Sequence, residues 1–294
     1  MEQRDNRLPR LANVRCSVAY ETRNGLGEGA FWDRAGRRLL WVDILGANVF
    51  VGAGEAYETY RLPVMPSVIW KVSGERVYLA TDEGVGELDL DNGRYRTVVE
   101  VEADQPDTRS NDGGEAPDGS FWFGTMLREP VRKGGALYRV SPNLSVQRVG
   151  GPVGIPNTFL FPAGGAYALI GDSFDRRIVR YQLHDSALSG GEPWMAKATG
   201  SSGVPDGSAL VDETAVINAE WDGGRLVAYN MRGEAYDALN LPVSRPTSCA
   251  LGGGDGRLLY VTSAREGLTD AELEAQPLAG AVFAVHLNPP NGSE

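Results

Sequence analysis

RSNDGGEAPDGSFWFGTMLREPVRKGGALYRV, residues 109–140, is the stretch that decides the fold. It contains a turn rich in Pro, Asp and Gly (Pro117–Gly119), an aromatic strand (Phe121–Phe123) and, after a polar loop, a further apolar segment. Short β-rich runs separated by such turns are typical of all-β proteins. Neither the turn nor the strand requires the Arg and Asn that precede them, so Arg109 and Asn111 are interpreted as ligand-binding side chains.

The same order of strand, turn, aromatic strand and further strand recurs along the chain. The spacing between units is about 40 to 50 residues, a period typical of β-propellers. Such repeats form four-stranded blades around a central channel. The sequence therefore predicts an all-β, six-bladed propeller. Its six units begin at Ala30, Val68, Glu115, Thr158, Ser208 and Ser248.

Residues 14–22 are predicted to form an outer strand that completes the last blade and closes the ring. No linker of biased composition divides the chain, so residues 14–294 are predicted to form one domain after a flexible N-terminal leader, residues 1–13. One short helix is expected over residues 269–276, where Thr269 and Glu272 match a capping box.

Composition limits the possible partners. The 294 residues carry a formal net charge of −11, which argues against nucleic acid as the main partner. No apolar run approaches the roughly 18 residues of a membrane-spanning helix, and the N-terminus lacks the apolar segment of a secretory signal. The expectation is a cytoplasmic protein that is monomeric or weakly homo-oligomeric and binds neither membranes nor nucleic acid.

Scarce cysteine and histidine residues limit the possible chemistry. The chain has two cysteines and two histidines, and none of them has a catalytic partner nearby in sequence. Ser-His-Asp and Cys-His catalysis, and zinc sites rich in His or Cys, are therefore difficult to build. Any catalysis is expected to depend on carboxylates, amides and arginine.

Four polar residues occupy one equivalent point in four repeats, just before the predicted first strand of each blade. They are Glu28, Asn111, Asn157 and Asp206. Each alone fits an ordinary turn, but recurrence in the same phase predicts that they converge on the central channel. Carboxylate and amide oxygens favour a hard divalent cation over copper.

At these residues the chain resembles the SMP-30/gluconolactonase family of regucalcin-like sugar lactonases. The resemblance extends from about residue 21 to residue 287. Its segments are LGEGAFWD, LLWVDILGANVF, RSNDGGEAPDGSFWFGTM, IPNTFLF, VPDGSAL, AEWDGGRLVAYN and RPTSCALGGGDGRLLYVTSAREGLT.

The resemblance implies a six-bladed propeller with one catalytic divalent cation in its channel. It assigns the metal ligands to Glu28, Asn157 and Asp206, and substrate contacts to Arg109 and Asn111. Glu129 matches a further substrate-binding Glu of the family only by its spacing from the GTM strand. Ca²⁺ is the first choice of cation, with Zn²⁺, Mn²⁺, Mg²⁺ and Fe²⁺ as alternatives.

One departure from the family pattern concerns the residue after Asn157. The family often has Gly there, whereas this chain has Thr158. A β-branched residue is expected to resist the positive φ that Gly accepts.

The expected reaction is hydrolysis of an aldono-1,4- or 1,5-lactone to the aldonic acid. The cation would polarise the lactone carbonyl. Asp206 is the first candidate for proton acceptor and Glu28 the second. A carboxylate beside a dication has a lowered pKa, so a metal-bound water is the alternative nucleophile.

Other functions fit the same sequence. They are a non-catalytic, calcium-binding regulatory propeller, an esterase acting on other lactones or aryl esters, and an interaction-only propeller. Among the tryptophans, Trp221 is the best candidate for stacking on a sugar, and Trp32, Trp41 and Trp122 are expected in the core.

Overall fold

The computed structural model describes residues 8–11 and 14–287, and within them the chain forms six antiparallel four-stranded sheets arranged as blades. Blade 1 contains β2 (Gly27–Asp33), β3 (Arg38–Asp43), β4 (Asn48–Ala53) and β5 (Ala56–Arg61). Blade 2 contains β6 (Pro66–Ser73), β7 (Arg76–Thr81), β8 (Gly84–Asp89) and β9 (Arg94–Glu100). Blade 3 contains β10 (Thr108–Glu115), β11 (Phe121–Leu127), β12 (Gly135–Val140) and β13 (Val146–Val153). Blade 4 contains β14 (Pro156–Leu160), β15 (Tyr167–Asp172), β16 (Arg177–His184) and β17 (Ala187–Ala196). Blade 5 contains β18 (Val204–Val211), β19 (Ala215–Trp221), β20 (Arg225–Asn230) and β21 (Ala235–Asn240). Blade 6 contains β22 (Pro246–Gly252), β23 (Leu258–Ser263), β24 (Val282–His286) and β1 (Arg15–Tyr20).

The predicted six-bladed propeller and its closing strand are both confirmed. β1 pairs antiparallel with β24, so the start of the chain supplies the outer strand of the last blade. The predicted helix is also present as α2 (Asp270–Ala275), after a one-turn segment, α1 (Pro162–Gly165). Thr269 and Glu272 form both hydrogen bonds of the capping box.

The core lies between blades, where apolar faces of neighbouring sheets meet. Trp70 of blade 2 stacks on Phe121 of blade 3, with ring centroids 5.4 Å apart. Trp41 and Trp122 are almost fully buried, as expected of core residues. Trp32 is only partly buried, and it stacks on Tyr260 of blade 6. These aromatic contacts join blade 2 to blade 3 and blade 1 to blade 6.

The first strands of the six blades contact one another in a closed ring around the axis. Each carries an irregularity of register that marks a β-bulge at the same level. A bulge bends a strand and redirects its side chains, and bulges are common beside active sites. The repeated bulge therefore presents one set of side chains per blade to the same end of the channel.

Part of the predicted leader contacts the propeller. Leu11 is buried, and its N–H donates to the Asp237 carboxylate at 2.8 Å. The Tyr236 hydroxyl donates to the Pro9 carbonyl at 2.8 Å. The rest of the predicted leader, residues 1–7 and 12–13, and the end of the predicted domain, residues 288–294, lie outside the described residues.

Neither helix in the described part of the chain has the length and apolar character needed to cross a membrane.

Candidate metal and substrate site

Four of the six bulges carry the residues predicted to converge. Glu28, Asn111, Asn157 and Asp206 all line one cavity of about 360 Å³. The sequence prediction placed them just before the first strands, and that placement is wrong. They lie inside β2, β10, β14 and β18, because each of these strands starts one to three residues earlier. The bulge, and not a loop, turns the side chains into the cavity.

Two carboxylates are buried together in this cavity. Glu28 and Asp206 are each 5% exposed. Burial raises the pKa of Glu28 well above its ordinary value, and the neighbouring charges of Asp206 and Asp112 raise it further. Burial, followed by the charge of Asp112, raises the pKa of Asp206 in the same way. Burial and mutual repulsion therefore disfavour the ionised carboxylates, and a bound cation would favour them.

Asn157 is oriented by its neighbours. Its Nδ2 donates to Ser173 Oγ at 2.7 Å, and that hydroxyl donates to the Pro205 carbonyl at 2.6 Å. Its Oδ1 accepts one hydrogen bond, from Asn111 Nδ2 at 3.1 Å. An amide oxygen has two lone pairs, so Oδ1 keeps one acceptor position.

Asn111 braces two other site residues. Its Oδ1 accepts from Arg109 Nη1 at 2.7 Å, and its Nδ2 donates to the Pro156 carbonyl at 2.9 Å and to Asn157 Oδ1. Both amide hydrogens are therefore engaged, and the side chain links Arg109 to Asn157. Arg109 lines the cavity with its Nη1 committed to Asn111 and to the Ser110 carbonyl. Its remaining N–H groups are the donors available to a ligand.

The donor set fits a hard divalent cation. Two buried carboxylates and an amide oxygen come from blades 1, 5 and 4, respectively. Oxygen ligands of this kind suit Ca²⁺, Mg²⁺ and Mn²⁺. Within residues 8–11 and 14–287 no group of three or more His, Cys, Asp or Glu side chains is placed to hold a metal.

Comparison with known proteins identifies the family. Residues 26–265 match the model of the SMP-30/gluconolactonase/LRE-like region. This chain belongs to the SMP-30/gluconolactonase/LRE-like family. The predicted resemblance is therefore confirmed.

Relatives within the family span nearly the whole chain. It is 36% identical over 282 residues to the L-arabinolactonase of Azospirillum brasilense, covering 91% of this chain and 90% of the relative. It is 32% identical over 272 residues to the 6-deoxy-6-sulfogluconolactonase of Pseudomonas putida, covering 92% and 94%. The crystal structure of regucalcin from Agrobacterium tumefaciens, described as a calcium-binding protein, superposes with a TM-score of 0.89 at 30% identity, covering 96% of each chain.

This member of the family differs from the sequence expectation at Thr158. The residue was expected to resist a positive φ, yet its φ is +55°. Its N–H donates to Asp112 Oδ2 at 2.7 Å, which holds the backbone in this conformation. Asp112 is itself buried, and burial raises its pKa to about 6.

Several cavity residues were missed by the sequence reasoning. Arg245 covers the ring of Trp221, with its guanidinium carbon 4.9 Å from the centroid, and donates from Nε to Asp222 Oδ1 at 2.6 Å. Its Nη1 also donates to the Glu266 carbonyl. Nothing in the local sequence brings these residues together, because blades 5 and 6 meet only in the fold. Other lining residues without a sequence signal are Leu26, Met126, Arg128, Pro130, Ile155, Ser173, Val204 and Gly267.

Two predicted substrate contacts have different surroundings. Trp221 lines the cavity, but Arg245 covers its ring, so stacking on a sugar stays a prediction. Glu129 is exposed and is not among the lining residues, although its neighbours Arg128 and Pro130 are. The structure thus brings Trp221 to the site and leaves Glu129 out of the cavity lining.

Proposed function

We propose that the protein hydrolyses a sugar lactone to the corresponding aldonic acid with the help of one divalent cation. The observation that carries the proposal is the meeting of two buried carboxylates and an amide oxygen from three blades in one cavity, beside an arginine. Two relatives that match more than nine-tenths of this chain are named L-arabinolactonase and 6-deoxy-6-sulfogluconolactonase. Their names support the same class of substrate here.

Glu28, Asn157 and Asp206 would hold the cation. A cation bound there would act as a Lewis acid toward the lactone carbonyl and stabilise the charge that develops on its oxygen. Ca²⁺ is the first choice because all three ligands are hard oxygens, and the regucalcin of Agrobacterium tumefaciens is described as calcium-binding.

The remaining steps belong to side chains of this protein. Arg109 would orient the lactone through charge-assisted hydrogen bonds from the N–H groups that Asn111 leaves free. Water attacks the carbonyl carbon, and Asp206, or else Glu28, accepts the proton that the water loses. The bond from the carbonyl carbon to the ring oxygen then breaks. The same carboxylate returns the proton to that oxygen, so one water and one lactone give one hydroxy acid.

The cavity suits a single sugar ring. Its volume of about 360 Å³ is near the lower end of the range for small-molecule sites, roughly 300–1,000 Å³. Charged and polar groups from five lining residues (Glu28, Arg109, Asn111, Asn157 and Asp206) surround it. A lactone hydroxyl can accept from the Arg109 N–H groups that Asn111 leaves free, whereas the aryl group of the alternative esterase function would leave them without a partner.

A second candidate is a calcium-binding protein without catalysis, which the description of the Agrobacterium relative favours. The same three ligands would then hold the ion. This function gives no role to the open cavity or to the donors of Arg109, so it is the weaker candidate.

The test is acid release from lactones by chelated protein to which Ca²⁺, Mg²⁺, Mn²⁺, Zn²⁺ or Fe²⁺ is returned singly. The panel contains glucono-, galactono-, xylono- and arabinono-lactones, each corrected for spontaneous hydrolysis. Asp206→Asn should reduce kcat/KM by about 100-fold or more, because it removes the proton acceptor and a ligand charge. Asp212→Asn, at an exposed turn outside the cavity, is the matched control and should retain activity.

Two results would reject the proposal. One is cation binding, measured by calorimetry, without acid release from any lactone, which would favour the calcium-binding function. The other is turnover that survives both chelation and Asp206→Asn.

A further inference from the structure

Thr158 has an unusual backbone conformation for its residue type. Its φ of +55° is one that β-branched residues rarely adopt. The equivalent residue after Glu28 is Gly29, with a φ of +57°. A Cβ on Gly29 would lie 2.8 Å from the Ser67 carbonyl oxygen, so blade 1 has no space for a side chain there. Blade 4 has that space, and a threonine fills it.

The side chain of Thr158 contacts the next blade. Its hydroxyl donates to the backbone carbonyl of Asp206 at 2.6 Å. Because that donation uses the only hydroxyl hydrogen, the Ser208 hydroxyl, 2.8 Å away, is the donor in the second bond. Thr158 thereby connects the strand that carries Asn157 to the bulge that carries Asp206.

The Asp206 carbonyl is also held from within its own blade. Asn218 Nδ2 donates to it at 2.8 Å and to Ser208 Oγ at 2.9 Å. Asn218 is completely buried. Two donors from different blades therefore fix the backbone at Asp206, and with it the starting point of the Asp206 side chain.

The backbone of Thr158 is fixed in turn by blade 3. Asp112 Oδ2 accepts the Thr158 N–H at 2.7 Å. A continuous chain of hydrogen bonds thus extends from Asp112 through Thr158 to Asp206. It crosses two blade boundaries and passes beside two of the three residues proposed to hold the cation.

We propose that Thr158 is a positioning residue that sets the spacing of Asn157 and Asp206 through its hydroxyl. The inference depends on the proposed cation site. Thr158 itself contacts neither the cation nor the substrate. Without its hydroxyl, Asp206 would keep the Asn218 contact, and Ser173 would still bridge Asn157 to the Pro205 carbonyl. Asp206 would lose its direct hydrogen bond to the strand of Asn157, so the two ligands would be held less firmly in one arrangement.

The test compares cation binding with stability in matched variants. Thr158→Val keeps the shape and removes the hydroxyl, Thr158→Ser keeps the hydroxyl, and Thr158→Gly removes the hydroxyl while accepting the positive φ without strain. Thr81→Val is the control. Thr81 is equally buried, and its hydroxyl bonds only within blade 2. Calorimetry on chelated protein gives the Kd for Ca²⁺, and thermal unfolding without cation gives the stability.

Thr158→Val and Thr158→Gly should raise the Kd for Ca²⁺ by about 10- to 100-fold, the range seen when groups that orient metal ligands are removed. Thr158→Ser and Thr81→Val should bind close to wild type. Thr158→Gly is expected to fold even where Thr158→Val does not, so the comparison does not depend on one variant.

An unchanged Kd in Thr158→Gly or Thr158→Val, with only a shift in unfolding temperature, would overturn the inference and leave the proposed function intact. Wild-type protein that binds none of the five cations would contradict the proposed function itself, and the inference with it.

Discussion

At the scale of single residues, Gly29 is required by both its backbone angle and its surroundings. Its φ is +57°, and an added Cβ would lie 2.8 Å from the Ser67 carbonyl oxygen and 2.9 Å from the Val68 Cα. Both are backbone atoms, which cannot rotate away. The Gly29 N–H also donates to Glu28 Oε2 at 3.1 Å. A change at Gly29 therefore disturbs the contact between blades 1 and 2 and the carboxylate of Glu28 together.

Gly29→Ala should destabilise the protein by more than the roughly 1–2 kcal/mol expected of a left-handed conformation alone. Gly74→Ala is the matched control, because Gly74 has a φ of +62° and nothing within 4 Å of an added Cβ. Urea unfolding gives the free energy of unfolding of both variants. The difference between their losses is the cost of the close contact. Equal losses of unfolding free energy would show that blade 2 yields to the new methyl group.

At the scale of elements, a buried ion pair supports the wall of the cavity. Glu220, in β19, is 1% exposed and contacts Lys197 Nζ at 2.6 Å and Arg225 Nε at 2.7 Å. The Lys197 side chain is only 7% exposed and follows β17 of blade 4. The pair thus joins blades 4 and 5 directly beside Trp221. Removing one partner of a buried pair leaves an uncompensated charge.

Glu220→Gln should lower the free energy of unfolding by about 3 kcal/mol, because it keeps the shape but leaves the Lys197 ammonium buried without a carboxylate. Glu234→Gln is the control, since Glu234 pairs with Arg232 at an exposed turn. Chemical denaturation of the two variants compares the pairs. A loss of stability no larger in Glu220→Gln than in the control would mean that water reaches Lys197.

The elements and part of the site were predictable because the repeat encodes them. Turn residues and aromatic strands recur in each unit, so the blades, the closing strand and the capped helix α2 followed from local patterns. A polar residue recurs at the equivalent position of four units, and this recurrence located Glu28, Asn111, Asn157 and Asp206. The bulges could not be read from the sequence, because their residues resemble ordinary turns. Neither could the pairing of Arg245 with Trp221, which depends on how blades 5 and 6 pack against each other.

At the scale of the whole molecule, the ring is closed by contacts between its last and first blades. β1 pairs with β24, and the Thr22 hydroxyl donates to the Gly280 carbonyl at 2.7 Å. The Thr247 hydroxyl donates to the Gly27 carbonyl, which joins the first strands of blades 6 and 1. Glu28 follows Gly27 directly, so closure of the ring and placement of a proposed ligand depend on the same segment.

Removing residues 1–21 should lower the unfolding temperature and promote aggregation, because the edge of β24 would lose its partner strand. Removing residues 1–7 retains every described contact and is the control. Circular dichroism melting and size-exclusion chromatography report the two effects. If the two truncated proteins unfold at the same temperature and both remain monodisperse, β1 is dispensable for closure of the ring.

The repeated bulge keeps the backbone of the channel the same in every blade while the side chain at the bulge differs, and this has a consequence for evolution. All six blades bend at this level, yet blades 2 and 6 present hydroxyls there, Ser67 and Thr247, where other blades present carboxylates or amides. The side chains at these six bulge positions can therefore change one at a time during evolution while the backbone of the propeller is retained. Related chains can thus acquire different binding side chains at the channel, and so different reactions, on the same fold.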